Sequence, residues 1–292
     1  MIRVFLSRIK TRDGINLEGI YVKPRRKSNI ALVWLHGLGS NFARGQTLME
    51  ELSAQCQRNN IGYFKFNNRG HDAAVSIRKD NGKNQYIGDA FEKFTDCVLD
   101  IRAIIGNARK LGYRRIILIG HSTGANKALY YIYKTKDRSV KGLILLGPVS
   151  DIAAGRKKFG TAGLARGVEL AERLSRKNPA ALMPALYGIF SARRFLSLFR
   201  PGGAEDVFPY LNPGTSWKEL KGVRAPIAVI FGPRDEYLNR HAKEIIEIFR
   251  SHASSTKSFS GVIIRGADHG FRKKEKELSL AIIQEIQKWG LL

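Results

Sequence analysis

Sulfur is scarce in this 292-residue chain: two cysteines, Cys56 and Cys97, allow one disulfide at most. Both fall in stretches of helical spacing, so the expectation is two reduced, packed thiols in a cytoplasmic protein. Long apolar runs are missing as well. No stretch approaches ~18 consecutive apolar residues, so no membrane span is expected. Met1–Lys10 has neither an apolar leader segment nor a small-residue cleavage site, so no secretory signal is expected there. Acidic residues are few: 25 Asp and Glu stand against 50 Lys and Arg, a net charge of +25. Such an excess favours anionic partners. Yet the chain carries no zinc-finger spacing, no aromatic-plus-glycine RNA signature and no G-x-x-x-x-G-K-[ST] loop. The expectation is therefore a basic solvated surface with no specific nucleic-acid partner. No internal repeat or low-complexity tract is found.

What is present is an α/β pattern. Hydrophobic content of 43% and charged content of 26% are those of a globular protein. Arg3–Ile9 and Ile15–Val22 read as strands joined through Thr11-Arg12-Asp13-Gly14, an antiparallel hairpin. Short continuous apolar runs follow at Ile30–Leu35, Ile61–Phe66, Arg115–Ile119, Val140–Leu146, Pro226–Phe231 and Gly261–Arg265. Runs of that kind suit strands covered on both faces. Helical stripes separate them: Leu48, Leu52 and Cys56, then Phe91, Phe94, Val98, Ile101 and Ile105, and later Ile245, Ile246 and Phe249. Residues 73–86 read as irregular connection. The expected architecture is a mostly parallel sheet of about eight strands with helices on both faces.

The alternation breaks between residues 150 and 221. Helical spacing appears at Leu164, Val168, Ala171 and Leu174, then at Ala181, Leu182, Ala185 and Leu186, with no apolar strand between. This segment reads as a helical lid inserted between two parts of one core, 1–149 and 222–292. It carries Arg156, Lys157, Lys158, Arg173, Arg176, Lys177, Arg193, Arg194 and Arg200, so much of the positive excess lies here.

Gly120-His121-Ser122-Thr123-Gly124 stands between an apolar strand and the helical stretch Ala125–Lys134. Strand, G-x-S-x-G, helix is a nucleophile elbow: a tight turn pushes the serine hydroxyl out of the sheet. The Thr123 N–H then sits at a helix N-terminus, where backbone donors can hold an oxyanion. His36-Gly37-Leu38-Gly39, after the strand Ile30–Leu35, offers the Leu38 N–H as a second donor. An elbow serine needs a base and the base an orienting acid. Of six histidines, His269 lies in Gly266-Ala267-Asp268-His269-Gly270-Phe271, between the last strand and the last helix. Asp235, in Gly232-Pro233-Arg234-Asp235-Glu236-Tyr237, follows the preceding strand. Glu236 and Asp151 remain open alternatives for the acid, and Asp268 reads as a brace of its own loop.

HGLGSN, GHSTG, GPRDEY and ADHGF together resemble the α/β-hydrolase superfamily over essentially the whole chain. More narrowly, FKFNNRGHD (Phe64–Asp72), GHSTGANKALYY (Gly120–Tyr131) and SARRFLSL (Ser191–Leu198) are similar to a sparsely characterised bacterial and fungal esterase-like family, whose fungal members include siderophore esterases. The resemblance implies the α/β-hydrolase fold and a serine hydrolase acting on a carboxylic ester or thioester. It assigns Ser122 as nucleophile, Asp235 as acid and His269 as base, with no metal and no cofactor. Amide or peptide hydrolysis, acyl transfer, and ligand binding with little turnover stay open. The partner implied is a small-molecule ester, anionic if the basic insertion lines the entrance. Oligomeric state is not legible.

Overall fold

The computed structural model describes residues 2–79, 82–212 and 214–292. Of the stretches read above, Met1, Asp80, Asn81 and Pro213 lie outside the described residues. The opening hairpin forms as its D-G turn suggests: β1 (Phe5–Lys10) pairs antiparallel with β2 (Asn16–Val22). Its turn is closed by Gly14 N–H donating to Thr11 O, with Gly14 at φ 83°. β3 (Ile30–Leu35) follows, then α1 (Gln46–Arg58) and β4 (Gly62–Phe66). Two short strands come next, β5 (Val75–Arg78) and β6 (Asn84–Ile87), paired antiparallel in a separate ribbon. This corrects the reading of 73–86 as irregular. Val75 and Ile77 alternate with Ser76 and Arg78, but four residues make too short a period-2 pattern to stand out.

The elbow region is α2 (Cys97–Lys110), β7 (Arg115–His121), α3 (Thr123–Thr135) and β8 (Val140–Leu146). After the inserted α4 (Asp151–Lys177) and α5 (Ala192–Phe199) come the short α6 (Lys218–Lys221), β9 (Ile227–Phe231), α7 (Ala242–His252), β10 (Phe259–Ile263) and α8 (Glu275–Lys288). Eight strands form one sheet in the order β1-β2-β4-β3-β7-β8-β9-β10. β2 alone runs against the rest. All residues of β3 and of β9 are buried, as a sheet covered on both faces requires. One core gathers β-strand residues with those of α2, α3 and α7, and the other gathers the opposite face with α1 and α8. The chain steps from β3 to β4 on one side and to β7 on the other. The loops leaving β3 and β7 therefore part at a topological switch point, where such sheets open a ligand crevice.

The insertion has a small core of its own, in which Leu164, Ala171, Met183, Tyr187, Phe195 and Phe199 are buried together. Its first helix is broken at Gly160 (φ 70°, ψ 162°). The helix expected over Ala181–Leu186 is absent. Pro179 precedes that stretch and Pro184 lies within it, and proline cannot donate the N–H a helix interior needs. The segment instead forms one antiparallel bridge, Leu182 to Ser191, and a single 3₁₀ turn at Ala185–Tyr187. The second helix starts later, at α5, where the Ser191 side chain accepts the Arg194 N–H at 3.3 Å as an N-cap.

Candidate active site

Ser122 sits between β7 and α3 at φ 57°, ψ −130°, a conformation that costs a non-glycine residue energy. Its neighbours permit it. A Cβ on Gly120 would collide with the Gly124 carbonyl, and one on Gly37 would come within 2.8 Å of the Ser122 Cβ. The loop after β3 can thus lie against the turn that carries Ser122. Thr123 is the first residue of α3, and its N–H precedes the first intrahelical bond. Leu38, on the facing loop, is 36% exposed, and its N–H has no acceptor among the described residues.

The structure brings Asp235, and neither Glu236 nor Asp151, against the His269 imidazole. His269 donates Nδ1–H to Asp235 Oδ2 at 2.8 Å, and both side chains are nearly covered. The partner at Nδ1 places the ring proton there and leaves Nε2 as the lone-pair nitrogen. Nε2 is buried with no hydrogen-bond partner among the described residues. Glu236 holds the same loop by another route: its Oε2 accepts the His269 backbone N–H at 3.2 Å. Asp235 Oδ1 accepts the Tyr237 N–H at 2.9 Å, which fixes the acid's rotamer. Asp268 braces its own loop, accepting both the N–H and the Nε–H of Arg272 at 2.9 and 2.7 Å.

Asp151 opens α4 and takes only a 3.4 Å contact from Asn126 Nδ2. Burial, followed by nearby Glu205, pushes its carboxyl well above the usual carboxylate range. Ser122, Leu38, Thr123, His269 and Asp151 all line one cleft of about 490 Å³. The insertion supplies an apolar wall of Phe190, Leu198 and Phe199, and Lys157 and Lys158 also line it. Lys157 donates to the Glu236 carbonyl at 2.7 Å.

Two histidines outside the Ser–His–Asp set frame it. His36 donates Nδ1–H to Gly37 O at 2.9 Å, and its Nε2 accepts the Asn68 N–H at 3.1 Å. Burial, helped by the Lys127 charge, lowers its pKa to about 3, so it stays neutral. His121 donates Nε2–H to the His269 carbonyl at 2.8 Å, and burial, then the neighbouring His269, lowers its pKa to about 4.

The FKFNNRGHD stretch frames the site from behind. Asn67 Oδ1 accepts the Phe42 N–H at 2.8 Å, and Asp72 Oδ1 accepts Asn41 Nδ2–H at 2.8 Å. Arg69 is buried against Asp100, with Nη2 2.8 Å from Oδ1. Lys127, on α3, donates to Asn68 Oδ1 at 2.9 Å and pairs with Glu92 at 2.5 Å. Glu92 also meets Arg194 of α5, which in turn pairs with Glu205. Burial pushes the Glu92 carboxyl up, but Lys127 and Arg194 outweigh it and hold it below its ordinary value. Arg194, counted above among the basic residues of the insertion, is thus wholly buried and paired. Sequence reasoning missed this network. Its signal was Asn126 and Lys127, two polar residues in a helix that buries every position from Thr123 to Ile132.

The eight-stranded sheet, the elbow turn and the Asp–His pair after β9 and β10 define an α/β-hydrolase fold. Residues 88–289 match the model of the family described as "Protein of unknown function (DUF1749)", and the chain belongs to that family. Its structure is similar to three enzymes of the same fold. An esterase from Pyrococcus furiosus is 16% identical, with 99% of this chain and 91% of that chain covered and a TM-score of 0.64. Est1E from Butyrivibrio proteoclasticus, in a structure with ferulic acid bound, is 16% identical over 97% and 99% of the two chains, with a TM-score of 0.65. The siderophore hydrolase EstB from Aspergillus fumigatus is 18% identical over 100% and 99%, also with a TM-score of 0.65. At such identities the likeness speaks for the fold. The search of curated proteins gave no match. No helix among the described residues is long and apolar enough to cross a membrane.

Proposed function

We propose that the chain is a serine hydrolase that cleaves a carboxylic ester or thioester through an acyl-enzyme on Ser122. The observation that carries this reading is the His269–Asp235 bond at 2.8 Å, with His269 Nε2 left unpartnered in the cleft that Ser122 also lines. Ser122 Oγ attacks the substrate carbonyl while His269 Nε2 takes its proton. The Leu38 and Thr123 N–H groups receive the oxyanion. As the tetrahedral adduct collapses, the bond to the leaving alcohol or thiol breaks and His269 returns the proton to it. Water then attacks the acyl group by the same steps, releasing the acid and the free serine. Asp235 keeps the Nδ1 proton in place and stabilises the imidazolium. The mechanism asks nothing of a metal or cofactor.

Residues 150–221 serve as the lid, and their apolar wall of Phe190, Leu198 and Phe199 contacts the substrate body. The three esterases and hydrolases that share the fold support an ester as substrate. The buried, unpaired thiols of Cys56 and Cys97 fit a reducing compartment, which favours the cytoplasm.

The test is labelling with a fluorophosphonate probe, which reacts with activated serines. Wild type labels and Ser122→Ala does not. Wild type that stays unlabelled where a control hydrolase is labelled sinks the reading. On a 4-nitrophenyl ester, Ser122→Ala and His269→Ala each lower kcat by about a thousandfold or more, and the double variant adds little, because triad members act as a unit.

A further inference from the structure

The cleft lies beyond the carboxyl ends of the parallel strands. At their other end, where β8 and β9 begin, the surface holds a recess of about 820 Å³. Five cationic side chains line it: Lys136, Arg138, Lys141, Arg224 and Lys257. All five residues are exposed. One carboxylate lines the recess with them, Asp137, and it is already engaged. Its Oδ2 accepts the Tyr131 hydroxyl at 2.7 Å, and its Oδ1 accepts from Ser139 and pairs with Arg109 at 2.8 Å. Among the described residues none of the five cations forms an ion pair.

Bases often gather where helices end, because the negative end of the helix dipole favours them. That accounts for Lys136, the C-cap of α3. It does not account for Lys141, which stands on β8 itself, nor for Arg224 and Lys257, which precede β9 and β10. Lys257 N–H donates to Arg224 O at 3.1 Å, so the two loops that carry these charges are tied together. Five like charges around one concavity repel one another, and no free carboxylate offsets them.

We propose that this recess binds an oligophosphate, a ligand with several closely spaced phosphate groups. The lining argues for the anion itself. Lys offers compact charge and Arg a planar fork, and both suit phosphate oxygens. Five cations need a ligand of several negative charges. Among the described residues no aromatic ring lines the recess on which a nucleobase could stack; of its apolar members, Ile132 and Val140 are each 6% exposed, and only the small Ala225 and Pro226 are half-buried. A single-stranded nucleic acid or a lipid tail finds no platform there. The site stands apart from Ser122 and does not depend on the hydrolase reading.

Isothermal titration calorimetry of the intact protein with sodium tripolyphosphate tests the proposal, with orthophosphate as the monovalent-group control. The expected result is saturable one-site binding, at least about tenfold tighter than orthophosphate and weakened by salt. In a Lys141→Gln, Arg224→Gln, Lys257→Gln triple variant, affinity falls at least about tenfold, while the circular dichroism spectrum and the ligand-free Tm stay as in wild type. Tripolyphosphate raises the Tm of wild type more than that of the variant. Absence of saturable binding overturns the proposal, as does equal affinity in the variant. Capture of duplex RNA or of phosphatidylglycerol vesicles through these residues, with no competition from tripolyphosphate, also overturns it in favour of a macromolecular surface.

Discussion

His121 Nε2–H donates to the backbone carbonyl of His269 at 2.8 Å, so the residue before the elbow serine holds the loop that carries the proposed base. The two rings lie with centroids 5.0 Å apart, and Trp34 and Phe271 flank His121. One turn of the chain thereby sets the position of both Ser122 and His269.

Loss of that bond should loosen the base without removing it. His121→Ala is expected to lower kcat/KM about tenfold to a hundredfold, since small misplacements of reacting groups cost that much. His121→Gln keeps an N–H donor and should lose less. Ester hydrolysis by the two variants decides it. Equal activity of His121→Ala and wild type would show that the contact positions nothing.

Asp235→Asn should be far more damaging than either neighbouring alternative. An amide at this position cannot hold the Nδ1–H tautomer, and a loss on the order of 10⁴ in kcat is the precedent for an orienting acid. Glu236→Gln keeps an oxygen for the His269 N–H and should cost little. Asp151→Asn should also retain most activity, because Asp151 makes no bond to the imidazole. A steady-state comparison of the three checks the assignment. A collapse in Asp151→Asn with Asp235→Asn intact would move the acid to the end of β8.

The two buried neutral histidines predict acid sensitivity. His36 and His121 titrate near 3 and 4 in the folded chain, against 6.5 for an ordinary histidine. Between those values the unfolded state binds protons that the folded state does not. Stability is therefore full above pH 6.5 and falls as pH drops toward 4 and then 3. Each site adds a slope of up to about 1.4 kcal/mol per pH unit in its window. Urea unfolding from pH 7 to pH 4 measures the slope, and His121→Gln should reduce it by one proton's share. An unchanged slope would place the acid sensitivity elsewhere.

Arg194 and Arg193 adjoin in sequence and should differ sharply in stability. Arg194 is buried between Glu92 and Glu205, while Arg193 is exposed and donates to the Phe91 carbonyl at 3.2 Å. Arg194→Ala leaves two carboxylates buried without their shared cation, a loss of about 3–5 kcal/mol. Arg193→Ala should stay within about 0.5 kcal/mol of wild type. Thermal unfolding of both reads the contrast.

The sheet was legible because its strands are unbroken apolar runs, and a strand buried on both faces has no other way to look. The gathering of Ser122, Asp235 and His269 at one end of the sheet was legible because each follows a strand, in the chain order of the superfamily. The insertion was legible as a break in alternation but not in detail: apolar spacing over Ala181–Leu186 promised a helix that Pro184 forbids. The pairings behind the site were illegible for another reason. Arg194 donates to the Asp89 carbonyl 105 positions away, and Lys127 reaches Asn68 across 59. Nothing local marks such partners, since a Lys or Arg in a helix reads as solvated until tertiary structure covers it. Composition misled in the same way, for it counted Arg194 into a surface charge to which it does not contribute.

That correction narrows the question of substrate charge to Lys157 and Lys158. Both line the cleft, and Lys157 is held at its rim by the Glu236 carbonyl. Two carboxyl groups, Glu236 and Asp151, line the same cleft. Glu236 accepts the His269 N–H, and Asp151 has its carboxyl pushed well above the carboxylate range by burial and Glu205. If the two ammonium groups dominate at the entrance, their field raises the encounter rate of an anion until salt screens it. Two matched esters test this, one neutral and one with a carboxylate remote from the scissile bond. At low salt the anionic ester should show a kcat/KM about threefold higher or more, with the advantage gone near 0.5 M salt, where screening is on the order of a few ångströms. Lys157→Gln with Lys158→Gln should erase the preference and leave the neutral ester unaffected, whereas Arg193→Gln, which is not part of the lining, should change neither. Equal values for both esters at every salt would leave these lysines as surface composition.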